Sequence, residues 1–231
     1  MTRRCGLIVA LDTSDPVQAR RWAVAVRPHC GMVKLGLEFF LARGHAAMAA
    51  AGVAPIFLDL KFHDIPNTVA GAVRAVLPFR PRMLTLHASG GAAMIAAARA
   101  AADTAGDAKP LLLGVTVLTS LDAAALGDVG VDGGPRQQVL RLARLALAAG
   151  ADGLVCSPLE ISVLRDALGD GPVLVVPGIR PAGAAADDQA RTMTPRAAAA
   201  AGADWLVVGR PITRAADPAA AAAAIAAEML G

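Results

Sequence analysis

Lysine is nearly missing from this chain. Of 22 basic residues only Lys34, Lys61 and Lys109 are lysines, and arginine serves almost everywhere else. Cysteine is sparse too. Cys5, Cys30 and Cys156 lie far apart with no CxxC pair, a pattern that indicates neither a disulfide framework nor a zinc site and leaves three reduced, mostly buried small hydrophobes. Outside weakly hydrophobic Ala-dominated stretches there is no charge-free apolar run of about 18 residues, and "MTRRCGLIVALD" enters a strand pattern at once, so a membrane span is not expected and the chain reads as cytoplasmic. No GxGxxG follows the first strand pattern, which counts against a dinucleotide fold. The formal charge is only +3, and the arginines are scattered through Ala-rich segments instead of forming a stripe. Nucleic acid is therefore not an expected partner, whereas an anionic small molecule is compatible with the balance.

What is present is alternation. The 231 residues, 55% hydrophobic and 18% charged, have the size of one α/β barrel domain. Short β-branched or Leu-rich runs at 7–12, 32–36, 56–61, 83–87, 111–117, 153–156, 173–176 and 205–208 predict eight strands. Helices are predicted near 15–26, 38–50, 65–77, 91–103, 135–148, 159–168, 194–200 and 217–229, the last as a covering helix. The Gly-containing stretch "SLDAAALGDVGVDGGP" reads as a loop. Eight βα units with no visible boundary predict a single (β/α)8 TIM barrel over 1–231, with function on the loops that follow the strands.

Strand parity then places the charges. In "FLDLKF" Leu58, Leu60 and Phe62 share one face while Phe57, Asp59 and Lys61 share the other. The same alternation turns Asp12, Lys34, Thr85 and His87 inward, so four consecutive strands aim polar groups at one mouth. Isolated charges there would each cost several kcal/mol of desolvation, roughly, so pairing among them or with a ligand is required. Lysine at positions 34 and 61 fits a chemical need, because a lysine ammonium can give up its proton and an arginine cannot. His63 and His87 are assigned no acid-base role. A second element lies in the last third: "VVPGIRP" and "VVGRPIT" follow strands seven and eight, where barrels commonly hold a phosphate, with Arg180 and Arg210 as donors and Gln189 in the polar loop between them.

The segments "IVALD", "VKLG", "DLKFHDIPNTV", "HASGG", "VTVLTS", "PGIRP", "DDQAR" and "GADWLVVGRPIT", in this order across essentially the whole chain, closely resemble the orotidine 5'-phosphate decarboxylase family. The resemblance implies a homodimeric barrel lyase that converts orotidine 5'-phosphate to uridine 5'-phosphate and CO2, the last step of de novo pyrimidine nucleotide synthesis, without cofactor or metal. It further implies a catalytic array of Lys34, Asp59, Lys61 and Asp64, with Lys61 as proton donor and with Asp64 and Thr68 supplied across the dimer interface. Asp12 and Lys34 would hold the ribose, Thr119 would lie near the pyrimidine, and Arg180, Gln189, Gly209 and Arg210 would bind phosphate. Two other readings share these residues: a magnesium-dependent sugar-phosphate decarboxylase or aldolase built on the same barrel, and a nucleotide-binding barrel without catalysis.

Overall fold

The computed structural model describes residues 5–46, 48, 54–181 and 192–230. Eight parallel strands pair in chain order and close into a barrel: β1 (Gly6–Ala10), β2 (Met32–Gly36), β3 (Ile56–Phe62), β4 (Met83–His87), β5 (Leu111–Val115), β6 (Gly153–Val155), β7 (Val173–Val176) and β8 (Trp205–Val208), the last pairing with β1. Around them lie α1 (Pro16–Val26), α2 (Leu37–Arg43), α3 (Pro66–Val76), α4 (Gly91–Asp103), α5 (Ala123–Asp128), α6 (Gly134–Ala148), α7 (Ile161–Leu168), α8 (Pro195–Ala200), α9 (Arg210–Thr213) and α10 (Pro218–Glu228). This is the (β/α)8 barrel expected from the alternation. Among the described residues no helix is long and apolar enough to cross a membrane.

Strand parity separates two apolar layers. Leu7, Val9, Leu11, Val33, Leu35, Leu58, Leu84 and Leu86 face the helices in one continuous core. Ile8, Ala10, Met32, Phe57, Met83, Leu113, Val175 and Val207 point inward and fill the barrel. Burying a large aliphatic side chain stabilises by about 1.5–3 kcal/mol, and a one-residue slip of any strand would exchange the two layers, so register is strongly specified.

Local signals set the helix ends. α1 and α10 both start at an Asp-Pro pair: Asp15 accepts the Val17 N–H at 2.8 Å, and Asp217 accepts those of Ala219 and Ala220 at 2.9 and 3.0 Å, while proline occupies the first helical position, where no N–H is needed. Three expectations shift. The helix expected over 38–50 is α2, which ends at Arg43 because Gly44 takes φ +54°; part of the remainder lies outside the described residues. The stretch expected as a loop after β5 contains α5, capped by Asp122, whose side chain accepts the Ala125 N–H at 2.9 Å. α9, directly after β8, was not expected.

The lower rim carries a repeat. Ala-Ala-Gly-Ala-Asp occurs at 148–152 and again at 200–204, each time leading from a helix into a strand. Gly150 and Gly202 take φ of +103° and +105°, a left-handed conformation that glycine adopts without strain. Asp152 then accepts the Leu112 N–H at 2.7 Å and Arg99 at 2.9 Å, and Asp204 accepts the Leu174 N–H at 2.7 Å and Arg165 at 2.7 Å. In both copies the arginine comes from the helix preceding the strand whose N–H is bound. The result is two equivalent braces between neighbouring strands, at the end of the barrel where stability rather than chemistry is usually decided. Beside the second brace, the Trp205 ring covers Gly6 and Gly31, where any added Cβ would overlap it.

Candidate active site

Polar residues replace the inward apolar layer at the C-terminal ends of the strands. Lys34 stands in register between Ala10 and Phe57, and Asp59 lies opposite Gly36. Gly36 matters through what it omits: a Cβ there would sit 3.1 Å from Lys34 Nζ and 3.4 Å from an Asp12 oxygen. The space is used by a chain of alternating charge. Lys34 Nζ is 3.2 Å from Asp12 Oδ1 and 3.4 Å from Asp59 Oδ2, and Lys61 Nζ is 2.8 Å from Asp59 Oδ1. Thr85 adds its hydroxyl, which donates to Asp59 Oδ1 at 3.0 Å.

These charges are largely withdrawn from water, the side chains of Lys34 and Asp59 being only 11% and 12% exposed. Burial alone would push the Asp59 carboxyl up, but the Lys34 and Lys61 ammonium groups and the Thr85 hydroxyl outweigh it and hold the carboxyl below its ordinary value. Burial likewise disfavours the Lys34 ammonium, and the carboxylates of Asp59 and Asp12 reverse that effect and raise its pKa. Each ion is thus held charged by its neighbours.

Strand β3 is distorted where this happens. Its register with β4 shifts between Leu58 and Phe62, and Lys61 has φ +50°, a conformation uncommon for a residue with a side chain. The Lys61 N–H is taken by the Thr85 hydroxyl at 2.9 Å. Bulges of this kind re-aim a side chain at the cost of local strain, and here the re-aimed side chain is the ammonium that meets Asp59.

The array borders a cavity of about 240 Å3 at the mouth of the barrel. Asp12, Lys34, Asp59, Lys61, Thr119, Arg180, Gly209 and Arg210 line it, over an apolar base that includes Val115, Val155, Cys156 and Val207. Arg180 is fixed by its backbone N–H, which donates to the Met193 carbonyl at 3.0 Å, and its side chain donates to the Ile179 carbonyl at 3.0 Å. Burial pushes the Cys156 thiol up, with Glu160 adding to the effect, which disfavours the reactive thiolate at this point of the wall.

Not every expected residue gathers here. Asp64 and Thr68 are exposed near the start of α3 and do not line the cavity; Asp64 accepts the Ile65 N–H at 2.6 Å. Gln189 lies outside the described residues. His63 and His87 pair with ring centroids 5.3 Å apart, and neither lines the cavity. Thr85 points inward as its parity predicts and bonds to Asp59, although no role in the site was expected of it; not anticipated is the apolar base from β5 and β6, for which Cys156 at the end of a strand was a hint. Among the described residues no group of three or more His, Cys, Asp or Glu side chains could hold a metal ion.

Comparison with known proteins agrees with this geometry. The family model described as Orotidine 5'-phosphate decarboxylase / HUMPS family matches residues 6–225. Orotidine 5'-phosphate decarboxylase of Gluconobacter oxydans is 57% identical over 233 residues, covering 99% of each chain; that of Thermobifida fusca is 55% identical over 226 residues, covering 96% of this chain and 95% of its own. The crystal structure of orotidine 5'-phosphate decarboxylase from Lactobacillus acidophilus superimposes with a TM-score of 0.86 at 38% identity, over 98% of this chain and 100% of the other. With matches along nearly its entire length, the chain belongs to the orotidine 5'-phosphate decarboxylase / HUMPS family.

Proposed function

We infer that this chain is a carboxy-lyase that converts orotidine 5'-phosphate to uridine 5'-phosphate and CO2, the final step of pyrimidine nucleotide biosynthesis, and that it works as one (β/α)8 domain over 1–231. The observation that carries the reading is the alternating Asp12–Lys34–Asp59–Lys61 array beside a cavity that Arg180 and Arg210 also line, in a chain of this family.

The chemistry explains why such an array is useful. Breaking the bond between the pyrimidine ring and its carboxylate leaves an electron pair on a ring carbon with little delocalisation. The barrier falls only if the site favours that carbanion over the starting carboxylate. The Lys61 ammonium is already oriented by Asp59, so it stabilises the growing negative charge without reorganising and then delivers a proton to the carbon. The neutral amine regains its proton from solvent. Asp59, held ionised by its neighbours, stands near the departing carboxylate and disfavours its ground-state charge. Asp12 and Lys34 hold the ribose, Thr119 lies near the pyrimidine, and Arg180, Gln189, Gly209 and Arg210 take the phosphate, whose binding energy, remote from the reacting bond, helps to assemble the site. Asp64 and Thr68 complete the array from a second copy of the chain, which makes the working unit a homodimer, acting in the cytoplasm and needing no cofactor or metal.

The magnesium-dependent alternative is disfavoured by charge. Ammonium groups lie 2.8 and 3.4 Å from the two oxygens of Asp59, the carboxylate a divalent ion would need, and they would repel it. The test is to add purified protein to orotidine 5'-phosphate in excess chelator and follow the absorbance of the orotate ring. Steady loss of absorbance is expected. Binding without loss would replace the enzyme with a nucleotide-binding protein, and loss only after magnesium is restored would replace the mechanism.

A further inference from the structure

We propose that Thr85 is a positioning residue for the decarboxylation, setting the Lys61 ammonium through two hydrogen bonds made by one hydroxyl; the proposal rests on the function inferred above. Thr85 lies near the middle of β4, points into the barrel and is completely buried. Its hydroxyl accepts the Lys61 N–H at 2.9 Å and donates to Asp59 Oδ1 at 3.0 Å. That same oxygen receives the Lys61 ammonium at 2.8 Å. A closed circuit results: Lys61 backbone to Thr85, Thr85 to Asp59, Asp59 back to the Lys61 side chain.

The circuit has a purpose that ordinary strand pairing could not serve. Where β3 shifts register between Leu58 and Phe62, its regular ladder with β4 is interrupted, and Lys61 in its left-handed conformation needs another acceptor for its partly buried N–H. A threonine hydroxyl supplies that acceptor and still has a proton to give. Valine has the same shape and neither capacity. The donated proton fixes which way the Asp59 carboxylate faces, and the accepted one fixes the backbone from which the Lys61 side chain springs. Thr85 does not line the cavity, so its influence on turnover passes through those two residues.

Thr85→Val and Thr85→Ser separate positioning from simple support. A hydrogen bond to a charged group is worth enough to lower kcat about 10- to 100-fold when lost, so Thr85→Val is expected to show that decrease while its affinity for uridine 5'-phosphate changes less than about threefold, or about 0.7 kcal/mol. Thr85→Ser, which retains the hydroxyl, should recover most of kcat. In an Asp59→Asn background Thr85→Val should have much less effect than alone, because the two act as a unit. Three results would overturn the proposal: normal kcat in Thr85→Val, equal impairment in Thr85→Ser, or loss of product affinity in proportion to kcat, which marks general collapse of the site. A crystal structure of Thr85→Val adds a readout independent of turnover, with Lys61 expected to leave positive φ; an unmoved Lys61 would also count against it. If the unaltered protein shows no decarboxylation, the functional reading fails by itself, and the crystal structure still decides whether Thr85 holds Lys61.

Discussion

Replacing Lys34 with methionine removes the central cation of the array while keeping most of its volume. Lys34 Nζ serves Asp12 at 3.2 Å and Asp59 at 3.4 Å, but the two losses are unequal. Asp12 is 56% exposed, and water replaces the missing partner at little cost. Asp59 is 12% exposed and, among the described residues, keeps Lys61 and Thr85. Breaking a buried pair by removing one member costs about 3–5 kcal/mol, and the two surviving partners set the expectation at about 3 kcal/mol. For a chain of this size that is a fall in Tm of about 6–12 °C. The pH dependence follows from Asp59. In the unaltered protein its depressed pKa contributes stability above the unfolded value of about 4, and that contribution is lost as pH falls through the folded value. In Lys34→Met burial has less opposition and the carboxyl titrates higher, so acid neutralises the uncompensated charge and the stability difference narrows on acidification. Thermal or urea unfolding of both proteins at neutral and acidic pH measures the difference directly, with turnover expected to vanish in the variant. Equal stability at neutral pH, or a gap that widens in acid, would refute the reasoning.

Lys61→Ala should abolish turnover while the fold and appreciable affinity for uridine 5'-phosphate remain, checked by the absorbance assay, circular dichroism and calorimetry. Arg210→Ala should lower kcat/KM about 10- to 100-fold through loss of a charge-assisted contact to phosphate, with most of the change in KM, read from steady-state kinetics. At the lower rim, Asp204→Ala would take from Arg165, whose side chain is 11% exposed, its carboxylate partner while leaving its bonds to the Gly202, Gly169 and Pro172 carbonyls, at a cost of about 3 kcal/mol. Asp152→Ala should cost less because Arg99 keeps Asp103 at 2.9 Å; denaturant melts rank the two, and kcat should be unchanged in both.

How far the chain could be read in advance differed between levels. The strands were legible because inward and outward positions are chemically distinct: Leu58, Leu60 and Phe62 against Asp59 and Lys61 leave one sensible orientation for β3. Their ends were less so. β1 stops at Ala10 and β5 at Val115, short of the 12 and 117 expected, because Asp12 and Val117 continue the alternation without continuing the ladder. The helix α5 was overlooked although Asp122 before three alanines is a serviceable start signal; the glycines that follow drew the reading toward a loop. The Ala-Ala-Gly-Ala-Asp repeat is visible in the letters, yet its meaning requires knowing that each aspartate reaches a neighbouring strand. For the site, parity brought Lys34, Asp59 and Lys61 together, while the positive φ of Lys61 depends on a bulge that no periodicity announces. Asp64 and Thr68 came from resemblance alone, and within one chain they stay outside the cavity.

The barrel beneath the charged array is solid. Ile8, Met32, Phe57, Met83, Leu113 and Val175 are all buried, and the Trp205 indole lies across the glycines below them. Among the described residues these side chains pack together beneath the reacting end, so gas released beside Lys61 meets a filled interior on that side. It departs by the doorway through which the nucleotide arrived, and any tight-fitting molecule lodged there stops traffic in both directions.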